Sequence, residues 1–71
     1  MQYLVVIEKG ESSFGAYVPD LPGCIAAAQS EDEVRQLIKE AIEFHIEGLR
    51  ESGEPVPLPS SSGAVVEVGA A

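Results

Sequence analysis

Apolar residues are grouped in short runs through the first 29 residues and then recur at a helical period. Three short apolar runs, Tyr3–Glu8, Phe14–Val18 and Cys24–Gln29, are separated by polar or Pro/Gly-rich segments, which is typical of strands joined by turns. The first run is apolar on both faces, as in a strand covered on both sides. The third is weaker because its three alanines are poor strand formers. The pattern predicts a three-stranded antiparallel β-meander.

A long amphipathic helix is predicted after the third run. Ser30, followed by acidic residues up to Glu33, forms a capping-box pattern with Ser30 at the N-cap and Glu33 at N3. Gly53 and Pro55 supply the stop. The helix therefore spans Glu31–Glu51, about 30 Å at 1.5 Å per residue. Its apolar positions recur at helical spacing: Val34, Leu37, Ile38, Ala41, Ile42 and Leu49.

The helix carries more apolar surface than one stripe, because Phe44 and Ile46 flank the buried face on opposite sides. A chain of 71 residues has a marginal core of its own. Its one cysteine, Cys24, cannot form a disulfide within the chain. We therefore expect the chain to form a homodimer or a larger homo-oligomer.

Proline alternates with Val and Leu in the segment after the helix, 55–59, which predicts a stiff, extended backbone. Ser60–Gly63 is predicted to be a flexible joint. Ala64–Val68 is predicted to be a short final strand at a sheet edge. The expected architecture is a single α+β domain over residues 1–71, with β-β-β-α-β order and the helix packed on the meander.

A kinked turn joins the second and third runs. Its six residues are Pro19, Asp20, Leu21, Pro22, Gly23 and Cys24. The two prolines fix φ and push the residues before them toward extended geometry. We expect Asp20 to accept hydrogen bonds from backbone amides just ahead of it, and Gly23 to adopt a positive φ.

Charge separates the candidate partners. The chain has 4 basic and 12 acidic residues, a formal net charge of −8. Such a surface repels a phosphate backbone and favours a basic protein partner, although acidity also simply keeps a small protein soluble. The simplest interpretation of the helix acids is a face exposed to water; these acids are Glu40, Glu43, Glu47 and Glu51. Glu43 and Glu47 are an unfavourable i,i+4 pair that a basic partner would relieve.

The candidate catalytic residues have simpler structural roles. His45 is expected to be a partly buried, hydrogen-bonded packing residue, and Cys24 a small apolar residue at a strand start. A residual metal-dependent nuclease built on Asp20 and neighbouring acids is a further alternative. We predict no enzyme activity, no cofactor and no metal.

The sequence has neither a bilayer-spanning run nor a positively charged leader, so we expect a cytoplasmic protein.

The chain resembles the N-terminal domain of HicB-type antitoxins from Tyr3 to about Val68. The resemblance lies in Val5-Val6-Ile7-Glu8, in the stretch from Gly15 to Cys24 that contains Pro-Asp-Leu-Pro-Gly-Cys, in the helix with Lys39-Glu40-Ala41-Ile42, in Gly53-Glu54-Pro55-Val56-Pro57 and in Val66-Glu67-Val68. It implies a truncated ribonuclease-H-like fold without the catalytic acids of true nucleases.

The resemblance also implies a partner. Family members mask HicA, a small basic toxin that cleaves messenger RNA, and the candidate contacts here are Glu40, Glu43, Glu47 and Val66. Such antitoxins usually add a C-terminal DNA-binding module. The 71 residues contain no second helix and no basic arm, so we expect a stand-alone form that does not repress transcription by itself. The alternative is an orphan structural domain that uses the same fold to self-assemble.

Overall fold

The computed structural model describes residues 1–69 and contains a three-stranded sheet followed by one long helix. The strands are β1 (Val6–Lys9), β2 (Phe14–Tyr17) and β3 (Ile25–Ala28), and the helix is α1 (Glu31–Glu51). The strands pair antiparallel in the order β1-β2-β3. The predicted α+β class, meander and helix are confirmed. The ribonuclease-H-like relationship stays a prediction.

The strands are shorter than predicted because their partners are short. Val6 pairs with Tyr17, the last residue of β2, so the residues before Val6 have no strand opposite them. Tyr3 and Val5 nevertheless pack against the core. Within the sheet, Ile7, Ala16 and Ala26 form one cross-strand row. This row lies on the face that α1 covers, since all three residues belong to or pack against the core.

Both ends of α1 are capped by local interactions. The Ser30 Oγ accepts a hydrogen bond from the Glu33 N–H at 3.2 Å, as predicted, and the Ser30 hydroxyl donates to Glu33 Oε1 at 3.1 Å. At the other end Gly53 has a φ of +71°, and the Glu54 N–H donates to the Leu49 carbonyl at 2.9 Å. This is a Schellman motif, which satisfies carbonyls that the helix leaves free.

The core is small and draws heavily on the turn between β2 and β3. Leu21 and Val34 are completely buried. The other buried apolar residues are Ala16, Val18, Cys24 and Ile38. Leu21 and Cys24 belong to the Pro/Gly turn, so this turn is a packing element as well as a connection.

The chain after α1 is extended, and within the described residues it forms no strand. The predicted final strand over Ala64–Val68 is therefore wrong for the single chain. In the described structure no backbone hydrogen bond joins these residues to the sheet, and their valines are exposed. The physical reason is that a strand is stable only against a neighbouring strand, and this segment has none. Residues 70 and 71 lie outside the described part.

The structure also shows whether any helix could span a membrane. In residues 1–69 no helix combines the length and the apolar character needed to cross a bilayer.

Candidate partner-binding surface

The turn between β2 and β3 is held closed by backbone hydrogen bonds. The Val18 N–H donates to the Cys24 carbonyl at 3.2 Å, and the Leu21 N–H donates to the Val18 carbonyl at 3.1 Å. The Cys24 N–H donates in turn to the Leu21 carbonyl at 3.1 Å. Gly23 adopts a φ of +85°, as predicted, in a region that disfavours other L-residues. These bonds leave Asp20 at the outside of a rigid turn.

Asp20 binds the chain that follows the helix, which corrects the expectation that it bonds amides just ahead of it. Its Oδ2 accepts the backbone N–H groups of Ser60 and Ser61, both at 2.9 Å. Its Oδ1 accepts the hydroxyls of Ser60 at 3.0 Å and Ser61 at 2.8 Å. We call this arrangement the Asp20 clamp. The bonds from the Ser61 N–H and then the Ser60 N–H are the largest causes that lower the pKa of Asp20 from 3.8 to about 2.

The segment around the clamp is held against the start of the sheet at two further points. The Tyr3 hydroxyl donates to the Pro57 carbonyl. A Cβ added at Gly63 would lie 3.2 Å from Leu4 Cδ1, so a glycine permits this close approach. The stretch predicted to be a flexible joint is therefore anchored, and no local pattern in the sequence indicates its partners.

The side chains considered for chemistry do not form a reaction centre in the described structure. Cys24 is buried, and burial raises the pKa of its thiol, so the reactive thiolate is disfavoured. His45 is half-buried and, among residues 1–69, makes no side-chain hydrogen bond. Asp20 directs its carboxylate oxygens at serines instead of a second carboxylate. Within the described residues, no three His, Cys, Asp or Glu side chains gather where they could hold a metal ion.

The exposed side of α1 presents the predicted acidic residues together. With 3.6 residues per turn, Glu40, Glu43 and Glu47 lie opposite the buried pair Val34 and Ile38. All three glutamates are exposed. We call them the acidic helix face. Glu40 accepts a hydrogen bond from Gln36 at 2.9 Å, which is the one side-chain bond recorded for these three within the described residues.

An aromatic side chain borders the acidic helix face. Phe44 is 80% exposed, and Leu37, two turns earlier on the same flank, is 41% exposed. Ile46, predicted with Phe44 as surplus apolar surface, is half-buried and packs against the core. The apolar surplus of α1 is therefore confined to one flank. The basic residues Arg35, Lys39 and Arg50 lie on the opposite flank, where Arg35 pairs with Glu31 at 3.1 Å.

The uncovered face of the sheet is apolar too. Val6, Tyr17 and Ile25 form a cross-strand row on the side away from α1. Ile25 is 70% exposed and Tyr17 is also exposed. The acidic helix face, Phe44 and this row are thus unpartnered in the single chain, while Cys24 is buried and the Asp20 carboxylate is occupied by serines.

Comparison with known families assigns this α+β domain to one of them. Residues 3–68 match the family described as "HicB_like antitoxin of bacterial toxin-antitoxin system". Because the match extends over most of the chain, the protein belongs to the HicB-like antitoxin family.

Relatives occur in a phage and in archaea. A 14.9 kDa protein of the rep-hol intergenic region of Haemophilus phage HP1 is 44% identical over 57 residues, which are 80% of this chain and 43% of that protein. A UPF0150 protein of Thermoplasma acidophilum is 40% identical over 58 residues, 80% of this chain and 84% of the relative. A UPF0150 protein of Archaeoglobus fulgidus is 46% identical over 48 residues, 66% of this chain and 70% of that relative. The chain thus spans less than half of the phage protein.

A solved structure supports the same assignment. The fold superposes on a chain of a HicA3 and HicB3 toxin-antitoxin complex with a TM-score of 0.73 and 33% sequence identity. The superposition covers 84% of this chain and 70% of the other. The structural neighbour is therefore part of a complex between a toxin and its antitoxin.

Proposed function

We propose that this protein is a non-enzymatic antitoxin domain over residues 1–71 that masks a small basic toxin of the HicA type, which cleaves messenger RNA. The family and the toxin-antitoxin neighbour support the role. The observation that carries the proposal is the acidic helix face with the exposed Phe44 beside it. The protein acts in the cytoplasm, where messenger RNA is cleaved.

Electrostatics gives the surface its specificity. A net charge of −8 attracts a basic protein over long range and speeds its association. The repulsion between Glu43 and Glu47, one turn apart, falls when a lysine or arginine of the partner lies between them. The same charge opposes direct binding of RNA, so the domain inhibits by covering the toxin and not by competing as a nucleic-acid ligand.

Phe44 supplies the apolar part of the contact. Aromatic side chains, Phe included, are enriched at protein interfaces, where each can bury a large apolar area. Phe44 is free to enter a pocket of the partner, and the acidic helix face then forms the polar rim. Glu40, Glu43 and Glu47 are the proposed contacts to the toxin, whereas Val66 is assigned to a different partner below.

The test is a calorimetric titration with a small basic protein encoded beside this one, combined with an assay of that protein's RNA cleavage. We expect tight binding that weakens as salt is raised, together with loss of cleavage. No binding, or binding that leaves cleavage intact, would contradict the masking role.

Matched charge reversals localise the surface. Glu43→Lys with Glu47→Lys is compared with Glu8→Lys with Glu11→Lys, two exposed acids outside the helix and away from Phe44. Each pair changes the net charge from −8 to −4, because every Glu→Lys step adds two charges. We expect the first pair to weaken binding at least tenfold and the second to change it much less. Equal losses would show that only overall charge matters.

A second candidate function, an orphan structural domain that self-assembles without a toxin, is favoured by the exposed valines after α1. It predicts stable homo-oligomers and no heat with the basic neighbour. The nuclease alternative loses support, because the Asp20 carboxylate is engaged by Ser60 and Ser61. Self-association is also expected of the antitoxin, so only the titration separates the first two functions.

A further inference from the structure

The residues after the Asp20 clamp extend away from the domain. We call Ala64–Val68 the C-terminal tail. Val65 is fully exposed, and Val66 and Val68 are each about three-quarters exposed. Valine is among the residues with the strongest preference for strands, and three of the five tail residues are valines. A segment with this composition is unfavourable in water and forms a strand where a neighbouring strand is available.

The dimensions of the chain show how much surface the tail leaves uncovered. The radius of gyration is 14.2 Å, against about 11 Å for a compact domain of this length. The accessible surface is 5493 Å², whereas a compact monomer of this mass exposes about 4,250 Å². The excess is about 1,200 Å², and a stable protein interface buries about 800 Å² on each partner. One chain thus carries the surplus area that a dimer needs.

An acceptor for the tail exists in the same fold. β1 is an outer strand of the sheet, and it pairs only with β2 in the described structure. Its outer N–H and C=O groups therefore form an open edge that can accept another strand. The chain already runs beside this end of the sheet, since Gly63 lies against Leu4 just before β1 begins. The tail leaves the domain at that point without pairing with its own β1.

Charge favours a second copy at this edge over the basic toxin. Glu67 is the only charged residue from 55 to 69, and Lys9, in β1, is the only basic side chain before the helix. The tail adds only one charge, and β1 has no net charge because it contains both Glu8 and Lys9, so this contact avoids most of the repulsion that two chains of charge −8 otherwise meet. The acidic helix face, which suits a basic partner, stays free.

We propose that the C-terminal tail of one chain adds as a strand to the β1 edge of a second copy, and that the reciprocal exchange forms a homodimer. The contact is isologous, so both tails and both edges are satisfied at once. Main-chain hydrogen bonds supply the pairing, and the exposed valines Val65, Val66 and Val68 supply the buried area. This proposal does not depend on the toxin-masking function.

Light scattering of the full chain and of the double variant Val65→Pro with Val66→Pro tests the exchange. An edge strand tolerates proline where its nitrogen faces solvent, but the N–H groups of adjacent residues point to opposite sides, so two consecutive prolines remove a bond to β1 in either register. The single-chain core involves neither Val65 nor Val66. We expect the wild-type protein to have twice the 7.5 kDa chain mass at micromolar concentration, and the double proline variant to show a twofold fall in mass. Gly69→Pro, placed after the tail, is the matched control and is expected to keep the two-chain mass.

Hydrogen exchange then identifies the contact. Amides of the tail and the outer amides of β1 are expected to be protected in the dimer and to lose protection together on dilution. A single-chain mass for the wild-type protein would overturn the proposal. A two-chain mass for the double proline variant, or a dimer whose tail amides exchange freely, would also overturn it and would point to Phe44 or to the outer sheet face as the contact.

Discussion

Asp20 shows how one side chain can connect distant parts of a small domain. It sits on a rigid turn and accepts four hydrogen bonds from two consecutive serines, 40 and 41 residues later in the chain. An anionic acceptor makes such bonds stronger than neutral ones. The clamp therefore sets where the chain lies after the helix, and with it the point at which the C-terminal tail leaves the domain.

Asp20→Asn is predicted to remove an acid-dependent part of the stability. The folded-state pKa of about 2 lies below the ordinary value of 3.8, so this contribution is complete above about pH 4 and is lost as pH falls toward 2. Denaturation of both proteins from pH 2 to pH 6 should show a difference that is largest at pH 5–6 and shrinks at low pH. A constant difference over this range would contradict the role of the carboxylate charge.

The same Leu→Ala change is predicted to have very different effects at two positions. Leu21 is completely buried in the core, whereas Leu58 is 76% exposed. Leu21→Ala should lower the free energy of unfolding by about 2–5 kcal/mol, because it removes buried methyl groups and leaves a cavity. Leu58→Ala should change it by less than about 0.5 kcal/mol. Urea denaturation measures both, and similar losses would show that the turn is not a core element.

The helix is the element in which local signals and structure agree best. Its observed span, Glu31–Glu51, equals the predicted span. The Ser30 cap and the positive φ of Gly53 explain why both ends are well defined. Helix limits depend on interactions within a few residues, and the sequence contains those residues side by side.

Replacing either of two glycines near the end of α1 by alanine is predicted to change the free energy of unfolding, in opposite directions for the two positions. Gly48 lies inside the helix, and a Cβ there meets nothing within 4 Å, so Gly48→Ala should raise the free energy of unfolding by about 0.5–1 kcal/mol. Gly53 has a φ of +71°, so Gly53→Ala should lower it by about 1–2 kcal/mol. Thermal or urea unfolding of the two variants provides the comparison, and changes of the same sign would refute the Schellman assignment.

The third strand is the element in which propensity and structure differ most. Ala26–Ala28 are poor strand formers, yet they pair with β2 in continuous register from Phe14 to Ala16. Tertiary packing holds them, because α1 rests on this part of the sheet and small side chains let the helix approach closely. The tail shows the converse case, in which strong strand formers remain unpaired because no strand lies next to them.

At the scale of the whole molecule, the two proposed interfaces lie on different parts of the chain. The acidic helix face and Phe44 are on α1, while the C-terminal tail and the β1 edge are on the sheet side. A chain of this size thus has surface for a second copy and for a basic partner at the same time. The outer sheet row with Ile25 belongs to neither proposed interface and stays exposed in the single chain.

A crossed pair of variants is predicted to separate the two interfaces. Phe44→Ala should weaken binding of the basic partner by about 2 kcal/mol, roughly thirtyfold, and leave the two-chain mass unchanged. The double variant Val65→Pro with Val66→Pro should halve the mass and leave partner binding within a few-fold. Calorimetry and light scattering on both variants check this, and loss of both properties in either variant would mean that one surface serves both partners.

Local sequence patterns are sufficient for the order and kind of the first four elements, the ends of the helix, the positive φ of Gly23 and the family. These features depend on patterns within a few residues, or on a motif that can be read in order. Tertiary structure alone decided that Asp20 binds Ser60 and Ser61, that Ile46 is covered while Phe44 is exposed, and that Ala64–Val68 has no strand partner. Those outcomes depend on which distant segments meet in space, and local propensity does not carry that information.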